Sequence, residues 1–296
     1  MPSLDQALRK LIPAVTTVIE TQSVGGGCIS QAQRVSVLDD SGLTRLLFVK
    51  TNEASFVDNF QAEWDGLVRL SEPEVIGVPN PIAVGEVEDR AWLVTEWVEQ
   101  GPRGSDFYAA FGRKLARLHK ATLGRKIGLD HDNYLGSARQ VNSPGNSWVE
   151  FFADQRIGFQ LRWATEQGLA DSNLRGDCER IVRTMDRLLD GRDDQTSLLH
   201  GDLWSGNYLC DSAGEPTIMD PAIYYGCREA EFGMLQLFGS CPGPFYDAYL
   251  ETFPLPDGWQ RRVSVYVLYH LLNHLNLFGS GYHGQCRSLA AQILRA

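Results

Sequence analysis

The sequence predicts an α+β protein of two lobes, a small antiparallel-sheet lobe followed by a mainly α-helical lobe. Three observations support this fold class. A chain of 296 residues can bury two cores, its early part alternates short β-like runs with turn signals, and its later apolar periodicity is mainly helical. A predicted strand over residues 91–98 runs into a breaker cluster at residues 99–102 that suits a hinge. We therefore predict an N-lobe over residues 1–97 and a C-lobe over residues 98–296.

The N-lobe elements follow from alternation, turn residues and helical spacing. Residues 33–38 and 43–50 flank an Asp-Asp-Ser-Gly turn, which predicts a β-hairpin. Apolar residues recur at helical spacing over residues 55–70, so we expect one helix beside this sheet. Ser55 and Asp58 are placed to form its capping box.

The C-lobe pattern is helical with two interruptions. Residues 124–146 and 240–258 are rich in Gly, Pro, Asn or Asp, so we expect loops there that face a substrate. Helices are predicted over residues 107–118, 148–159, 174–188 and 263–278.

Charge and composition narrow the class of protein. There are 27 basic and 37 acidic residues, and the net charge of −10 disfavours non-specific binding to nucleic acid or to an anionic membrane. A cationic or neutral small substrate fits this charge better. The six cysteines are scattered without a C-x-x-C pair, and no secretory segment follows Met1, so we expect a reducing cytoplasm. The most apolar stretch, residues 263–272, is too short to span a membrane.

The strongest motif is Leu-Leu-His-Gly-Asp-Leu-Trp-Ser-Gly-Asn at residues 198–207. Asp202 and Asn207 are five positions apart, which is the spacing of a kinase catalytic loop. Asp202 can orient an attacking hydroxyl or accept its proton, while Asn207 can offer its carbonyl oxygen to magnesium. Gly201 stands where the protein-kinase loop has arginine. A turn that uses these residues for their backbone preferences would explain the same composition without catalysis.

A second acid makes the pattern more specific. Asp220 lies thirteen residues after Asn207, at the end of a predicted strand, where a second magnesium ligand belongs in this architecture. Two acids and an amide in this order indicate phosphoryl transfer far more strongly than a turn-like loop does.

The segments at residues 200–207, 220–222 and 224–229 together resemble the fructosamine/ketosamine kinase family, which is related to aminoglycoside phosphotransferases and choline kinases. The likeness runs from residues 25–29 to the C-terminal helices and covers nearly the whole chain. It implies a protein-kinase-like fold, ATP and Mg²⁺, and transfer of the γ-phosphoryl group to the 3-hydroxyl of a ketosamine. Such an acceptor is a sugar adduct of a lysine or another amine, and its phosphorylation would make the adduct labile and assist deglycation.

Two other functions stay open at this point. The shared kinase parts do not define the acceptor, so an aminoglycoside or amino-alcohol phosphotransferase of the same fold is an alternative. A non-catalytic nucleotide-binding scaffold is another, although Lys50, Asp202, Asn207 and Asp220 all keep competent side chains. The sequence also leaves open whether the protein is a monomer or a homodimer.

The resemblance assigns roles to residues of the N-lobe. Lys50, at a strand end, is similar to the lysine that holds the α- and β-phosphates of ATP. Glu63 on the following helix would orient it by an ion pair, with Glu53 as a competing partner. Backbone groups around Glu96 and Val98 would bind the adenine edge. The loop expected to cover the phosphates contains Gly25, Gly26 and Gly27.

Further residues are expected to support the catalytic loop or the acceptor. Glu231 lies where relatives carry an acid that braces the loop, and we treat it as structural. The resemblance suggests that Trp204 packs against the sugar of the substrate, with packing inside the loop as the alternative. Tyr224 is a further candidate for the acceptor pocket.

Cysteine and histidine residues raise two more questions. Cys28, in the glycine loop, could be an oxidisable thiol, and some relatives are thought to use it as a redox switch between subunits. The alternative is a small residue beside the sheet. His270 and His274 share a helical face, but without an acidic companion motif we expect packing residues and not a zinc site.

Overall fold

The computed structural model of the protein describes residues 4–25, 29–124 and 126–295. Their contacts divide the chain into two compact units. The sheet unit comprises Met1–Phe107 and Tyr208–Pro221, and the helical unit comprises Tyr108–Asn207 and Ala222–Ala296. The lobe boundary after residue 97 stays a prediction.

One antiparallel sheet forms the centre of the sheet unit. Its strands are β1 (Val15–Val24), β2 (Gln31–Asp39), β3 (Thr44–Glu53), β4 (Pro81–Val87) and β5 (Arg90–Glu96). They pair in the order β1-β2-β3-β5-β4. β2 and β3 form the predicted hairpin. Its turn closes because the Asp39 carboxylate accepts the Ser41 and Leu43 N–H groups and Gly42 takes a left-handed φ of 79°.

Two helices cover opposite faces of this sheet, α1 (Leu4–Leu11) and α2 (Val57–Ser71). Since side chains alternate along a strand, Trp92 of β5 packs in one core cluster with Leu8 of α1, while the neighbouring Leu93 packs with Phe60 of α2. The helix predicted beside the sheet is therefore confirmed.

The capping box predicted for α2 is wrong. A 3₁₀ turn over Ala54–Phe56 precedes the helix, so the N-cap residue is Phe56, and it makes no side-chain capping bond. Ser55 lies inside that turn, where it has no helix start to cap. Sequence spacing alone does not reveal the extra turn, because apolar spacing differs little between the two helix types.

A small hairpin from later in the chain also belongs to the sheet unit. Its strands are β9 (Tyr208–Cys210) and β10 (Pro216–Ile218). Gly77 joins it by two backbone bonds, donating to the Pro216 carbonyl at 3.2 Å and accepting from the Ile218 N–H at 2.9 Å. Gly101 donates to the Cys210 carbonyl at 3.0 Å. These bonds anchor the residues that lead to Asp220.

The helical unit surrounds one long buried helix. Its helices are α3 (Phe107–Ala121), α4 (Trp148–Phe151), α5 (Phe159–Glu166), α6 (Ser172–Arg183), α7 (Met185–Leu188), α8 (Glu231–Leu237), α9 (Gly243–Thr252), α10 (Trp259–Phe278) and α11 (His283–Ile293). A π-helix over Phe152–Gly158 links α4 and α5. The 20-residue α10 packs on α5, α8 and α11. Gly233 of α8 permits a close approach, since a Cβ there would lie 2.9 Å from Tyr266.

The two predicted loops both contain regular structure. Residues 124–146 include a hairpin of β6 (Asn133–Leu135) and β7 (Ala138–Gln140). Residues 240–258 contain α9, so the loop prediction is wrong there. Phe245 and Tyr249 lie one turn apart on α9 and are both buried, a helical spacing that the surrounding Gly and Pro residues obscured. In the described ranges no helix is long and apolar enough to cross a bilayer.

Candidate active site

The strand register brings Lys50 to the face of the sheet that α2 covers. Lys50 of β3 lies opposite Leu93 of β5, and cross-strand partners point to the same side. Its Nζ atom lies 2.7 Å from Glu63 Oε1 on α2 and 2.8 Å from Asp220 Oδ1. The predicted ion pair with Glu63 is present. The contact with Asp220, 170 positions further along the chain, was not predicted.

The Lys50 cluster holds one cation and two carboxylates. Burial disfavours the charged amine, but Asp220 and Glu63 outweigh it and raise the pKa of Lys50. Burial, reinforced by Asp220 and opposed by Lys50, raises the pKa of Glu63 to about 7. The cluster therefore carries surplus negative charge whenever both acids are ionised, which suits the binding of a further cation.

Asp220 occupies an unusual backbone conformation. Its φ is 57°, in the left-handed region that non-glycine residues rarely adopt. Its side chain is 41% exposed, in contrast to the largely buried Lys50 and Glu63. Residues held in such conformations are concentrated at functional sites, where the surrounding structure offsets the strain.

The glycine loop lies mostly outside the described residues. Gly26, Gly27 and Cys28 are not described, so their predicted roles stay predictions. At Gly25 an added Cβ would meet no atom within 4 Å. The far arm of the loop is tied to β3, because the Asn52 amide donates to the Ile29 carbonyl at 3.1 Å and to the Ser30 hydroxyl at 3.0 Å. Sequence reasoning missed this role of Asn52.

Some groups of the segment predicted to bind adenine already form hydrogen bonds within the protein. The Glu96 N–H donates to the Asn80 carbonyl at 2.9 Å, and the Glu96 carboxylate accepts the Asn80 N–H at 3.0 Å. The Trp97 N–H donates to the Leu46 carbonyl at 3.1 Å. An adenine edge would therefore use carbonyl groups or the Val98 N–H, and this role stays a prediction.

In the helical unit, β8 (Ser197–Leu199) leads into the His-Gly-Asp loop. The Asn207 side-chain nitrogen donates to the Asp202 carbonyl at 2.8 Å and to Asp202 Oδ2 at 3.1 Å. The Asp202 N–H donates to His200 Nδ1 at 3.2 Å. Gly201 has a φ of 81°, and a Cβ there would overlap the Ala222 carbonyl oxygen. This explains why the arginine of the protein-kinase loop is absent here.

Glu231 supports the backbone of this loop by hydrogen bonds, as expected. Its carboxylate accepts the His200 N–H at 2.6 Å and the Gly201 N–H at 3.1 Å, and His119 Nε2 lies 3.5 Å away. Burial opposes ionisation, but these contacts outweigh it and lower the pKa of Glu231. The buried carboxylate therefore stays charged and fixes the loop backbone.

Asn207 and Asp220, the predicted magnesium ligands, belong to different units. The amide nitrogen of Asn207 makes both bonds to Asp202, so the amide oxygen is the atom that would bind a cation. Asp220 offers a carboxylate that is 41% exposed. Across the described ranges no group of three or more His, Cys, Asp or Glu residues could hold a metal. A carboxylate oxygen and an amide oxygen are each of the ligand type that Mg²⁺ binds, and the metal roles of Asn207 and Asp220 stay predictions.

The two acceptor candidates differ in exposure. Trp204 is partly exposed and contacts Phe238 with a centroid distance of 5.6 Å, and its ring folds over Gly206. Packing inside the loop is thus observed, while contact with a sugar stays a prediction. Tyr224 is only 1% exposed and stacks on Trp148. Its burial favours a role in the core over direct contact with a substrate.

A buried polar network that the sequence did not reveal supports the same loop. Arg156, on the π-helix, donates to Asn142 Oδ1 at 2.7 Å and lies 4.3 Å from the Tyr224 ring centroid. The Gln140 amide donates to the Ala222 carbonyl at 3.0 Å and accepts from the Tyr269 hydroxyl at 2.8 Å. The network therefore fixes the position of Ala222, whose carbonyl oxygen packs against Gly201.

His270 and His274 lie among aromatic side chains of α10. His274 Nδ1 lies 2.7 Å from the His270 carbonyl oxygen. Burial, with smaller contributions from His274 and Arg156, lowers the pKa of His270 to about 3. Both rings have the packing contacts expected from the sequence.

An antiparallel sheet with a Lys-Glu pair, and a helical unit with a braced His-Gly-Asp loop and a following Asn, define a protein-kinase-like phosphotransferase. An aminoglycoside phosphotransferase in ternary complex with AMP-PNP and hygromycin B superposes with a TM-score of 0.66 at 14% identity, over 99% of this chain and 98% of that one. The predicted α+β fold class is confirmed.

Sequence comparison then identifies the family. The fructosamine kinase family model matches residues 1–296. The chloroplastic protein-ribulosamine 3-kinase of Oryza sativa subsp. indica is 41% identical over 282 residues, 95% of this chain and 80% of that protein. A putative fructosamine-3-kinase from Thermobifida fusca YX-ER1 superposes with a TM-score of 0.86 at 31% identity, covering 99% of both chains. The chain belongs to the fructosamine kinase family, which confirms the resemblance.

Proposed function

We propose that this protein is an ATP- and Mg²⁺-dependent kinase that phosphorylates the 3-hydroxyl of ketosamines. The observation that carries the proposal is the His-Gly-Asp loop, in which Asn207 holds Asp202 by two hydrogen bonds and Glu231 fixes the backbone. The acceptor class is supported by the relative named a protein-ribulosamine 3-kinase. A ketosamine phosphorylated at this oxygen is labile, so the reaction would assist deglycation.

In the proposed step, the acceptor oxygen attacks the γ-phosphorus of ATP. A new O–P bond forms, the bond from the γ-phosphorus to the bridging oxygen breaks, and ADP leaves with that electron pair. The hydroxyl proton passes to the Asp202 carboxylate. Because both bonds from Asn207 reach Asp202, the carboxylate is oriented before the acceptor arrives.

The remaining residues position the nucleotide. Lys50, oriented by Glu63, holds the α- and β-phosphates, and the glycine loop at residues 25–27 excludes water from them. Asn207 and Asp220 would hold magnesium, which neutralises charge on the phosphate oxygens when it is bound.

We also propose a reducing cytoplasmic location. Four of the cysteines are free and buried, namely Cys178, Cys210, Cys227 and Cys286. Thiols of this kind persist in reducing compartments. Imaging of a tagged chain in its host cells tests the location.

The function is tested with purified protein and Mg-ATP against ketosamines, aminoglycosides and amino alcohols. We expect ADP release with a ribulosamine or fructosamine, and a product phosphorylated at O3 by ³¹P NMR. Asp202→Asn should lower kcat by about 10²- to 10⁴-fold while ATP binding persists. Asp247→Asn, on an exposed face of α9, is the matched control. Turnover of the aminoglycosides alone would overturn the acceptor class, and undiminished turnover in Asp202→Asn would overturn its role.

A further inference from the structure

Five aromatic side chains of the helical unit contact one another in a series that starts at the catalytic loop. This aromatic track consists of Trp204, Phe238, His274, Phe278 and Tyr282. Ring centroids lie 5.6 Å apart between Trp204 and Phe238 and 5.1 Å apart between Phe238 and His274. His274 lies 5.4 Å from Phe278 and 5.2 Å from Tyr282. Because Trp204 follows Asp202 by two residues, the track begins on the loop that carries the proposed reacting carboxylate.

Two rings of the track are open to solvent. Phe238 is 38% exposed and Phe278 is 50% exposed. Among the described residues, these are the two large aromatic side chains that are exposed to solvent. Exposed rings that are connected to the catalytic loop through Trp204, and to each other through His274, form a ligand surface more readily than isolated apolar residues do.

The backbone after α8 holds Phe238 in place. Gly239 has a φ of 108° and Ser240 a φ of 56°, so the chain turns sharply at the end of the helix. The Ser240 N–H donates to the Leu235 carbonyl at 2.9 Å, and its hydroxyl lies 2.7 Å from the Tyr246 hydroxyl. These hydrogen bonds fix the backbone next to Phe238, so a ligand would bind a preformed surface.

His274 adds a hydrogen-bond acceptor at the centre of the track. Its Nδ1 lies 2.7 Å from the His270 carbonyl oxygen, and a carbonyl only accepts, so Nδ1 carries the proton and Nε2 keeps a lone pair. Burial lowers the pKa of His274, against the opposing effect of that bond. Aromatic faces and a neutral imidazole nitrogen both attract a cation.

We propose that the aromatic track binds the amine-bearing carrier arm of the acceptor, an alkylammonium chain of the kind that a lysine side chain supplies. This inference rests on the proposed function. In a ketosamine the reacting hydroxyl is on C3, and C1 carries a secondary amine that is protonated at neutral pH. The cation thus lies a few bonds from the oxygen at Asp202, and its alkyl chain continues outward. The net charge of −10 also favours a cationic acceptor.

The test compares two acceptors that share one sugar and differ in the carrier. One is the ketosamine of methylamine, and the other is the ketosamine of the lysine ε-amine in a short peptide. We expect Phe278→Ala to lower kcat/KM for the lysine acceptor about fivefold relative to the methylamine acceptor, through KM and not kcat, because the lysine alkyl chain loses an apolar contact. Phe278→Leu keeps apolar bulk for the alkyl chain, so it should lose less of this selectivity than Phe278→Ala. Leu43→Ala, which removes another exposed apolar side chain in the sheet unit, should change neither ratio.

The outcomes separate this inference from the proposed function. If the unmodified protein phosphorylates neither ketosamine, the proposed function fails. If it phosphorylates both and Phe278→Ala affects them equally, the carrier site is overturned while the function stands. A loss in Phe278→Leu as large as that in Phe278→Ala would overturn apolar contact between the track and the carrier chain. Phe238→Ala provides a second, independent variant with the same expected selectivity.

Discussion

Lys50 in the sheet unit and Arg156 in the helical unit are both buried cations, but their surroundings differ. Lys50 contacts two carboxylates, Glu63 at 2.7 Å and Asp220 at 2.8 Å. Arg156 donates to neutral groups, including Asn142 Oδ1, and lies over aromatic rings. The Lys50 cluster thus has surplus negative charge when both acids are ionised, whereas the charge of Arg156 is solvated by oxygens and ring faces.

The difference also affects neighbouring acids and bases. Burial, with the additional charge of Asp220, raises the pKa of Glu63 to about 7. Burial, with contributions from His274 and Arg156, lowers the pKa of His270 to about 3. A cation that is paired with several carboxylates can exchange one of them for a bound ligand. A cation that is surrounded by carbonyl groups and aromatic rings stabilises the fold instead. Four predictions test this contrast.

The largest expected effect follows from removing the cation of the sheet unit. Lys50→Met should lower kcat/KM for ATP by about 10²- to 10³-fold, because the phosphates lose a fixed positive charge. Lys10→Met removes an exposed lysine from the same unit and should leave turnover unchanged. Steady-state kinetics with varied ATP provide the measurement. Near-normal activity of Lys50→Met would mean that its carboxylate contacts serve only the fold.

Removing the Arg156 cation should lower the stability of the protein. Arg156→Met leaves Asn142 Oδ1 and the Val141 carbonyl without their donor and removes the contact with the Tyr224 ring. We expect the free energy of unfolding to fall by about 3 kcal/mol, measured by urea denaturation. Arg180→Met, an exposed substitution on α6, is the control. Equal stability of the two variants would contradict the architectural role.

His270 should make the protein sensitive to acid. Its folded pKa of about 3 lies below the ordinary 6.5, so its stabilising contribution is complete above pH 6.5 and is lost as the pH falls towards 3. Between pH 7 and pH 5 we expect a loss of about 2 kcal/mol that His270→Gln does not show. Denaturation curves at both pH values test this. Parallel losses in the two proteins would assign the acid sensitivity elsewhere.

Glu63 should produce a smaller effect of opposite sign. Its folded pKa of about 7 lies above the ordinary 4.5, so its contribution to stability decreases as the pH rises from 4.5 to 7. Relative to Glu63→Gln, the unmodified protein should lose about 1.5 kcal/mol of unfolding free energy between pH 5.5 and pH 7. Asp220→Asn should weaken this dependence, since the Asp220 charge raises the pKa of Glu63. A difference that is constant with pH would rule out the shared-charge explanation.

Local patterns explain the correct predictions. The hairpin of β2 and β3 follows from alternating residues on either side of Asp-Asp-Ser-Gly, and the ion pair of Lys50 with Glu63 follows from a strand end and the next helix. The failures are also informative. The 3₁₀ turn moved the start of α2 beyond Ser55, and α9 lies in a segment that Gly and Pro had marked as a loop.

The sequence by itself determined that β5 is a strand, the order of acids and amide in the catalytic loop, and the family. These features depend on residue type and on spacing along the chain, which carry local conformational preference. Only the tertiary structure decided that Lys50 contacts both Asp220 and Glu63. It also decided that Arg156 packs against the Tyr224 ring, with no carboxylate in direct contact among the described residues. Both depend on contacts between distant segments, because burial and charge balance arise where the chain folds back on itself.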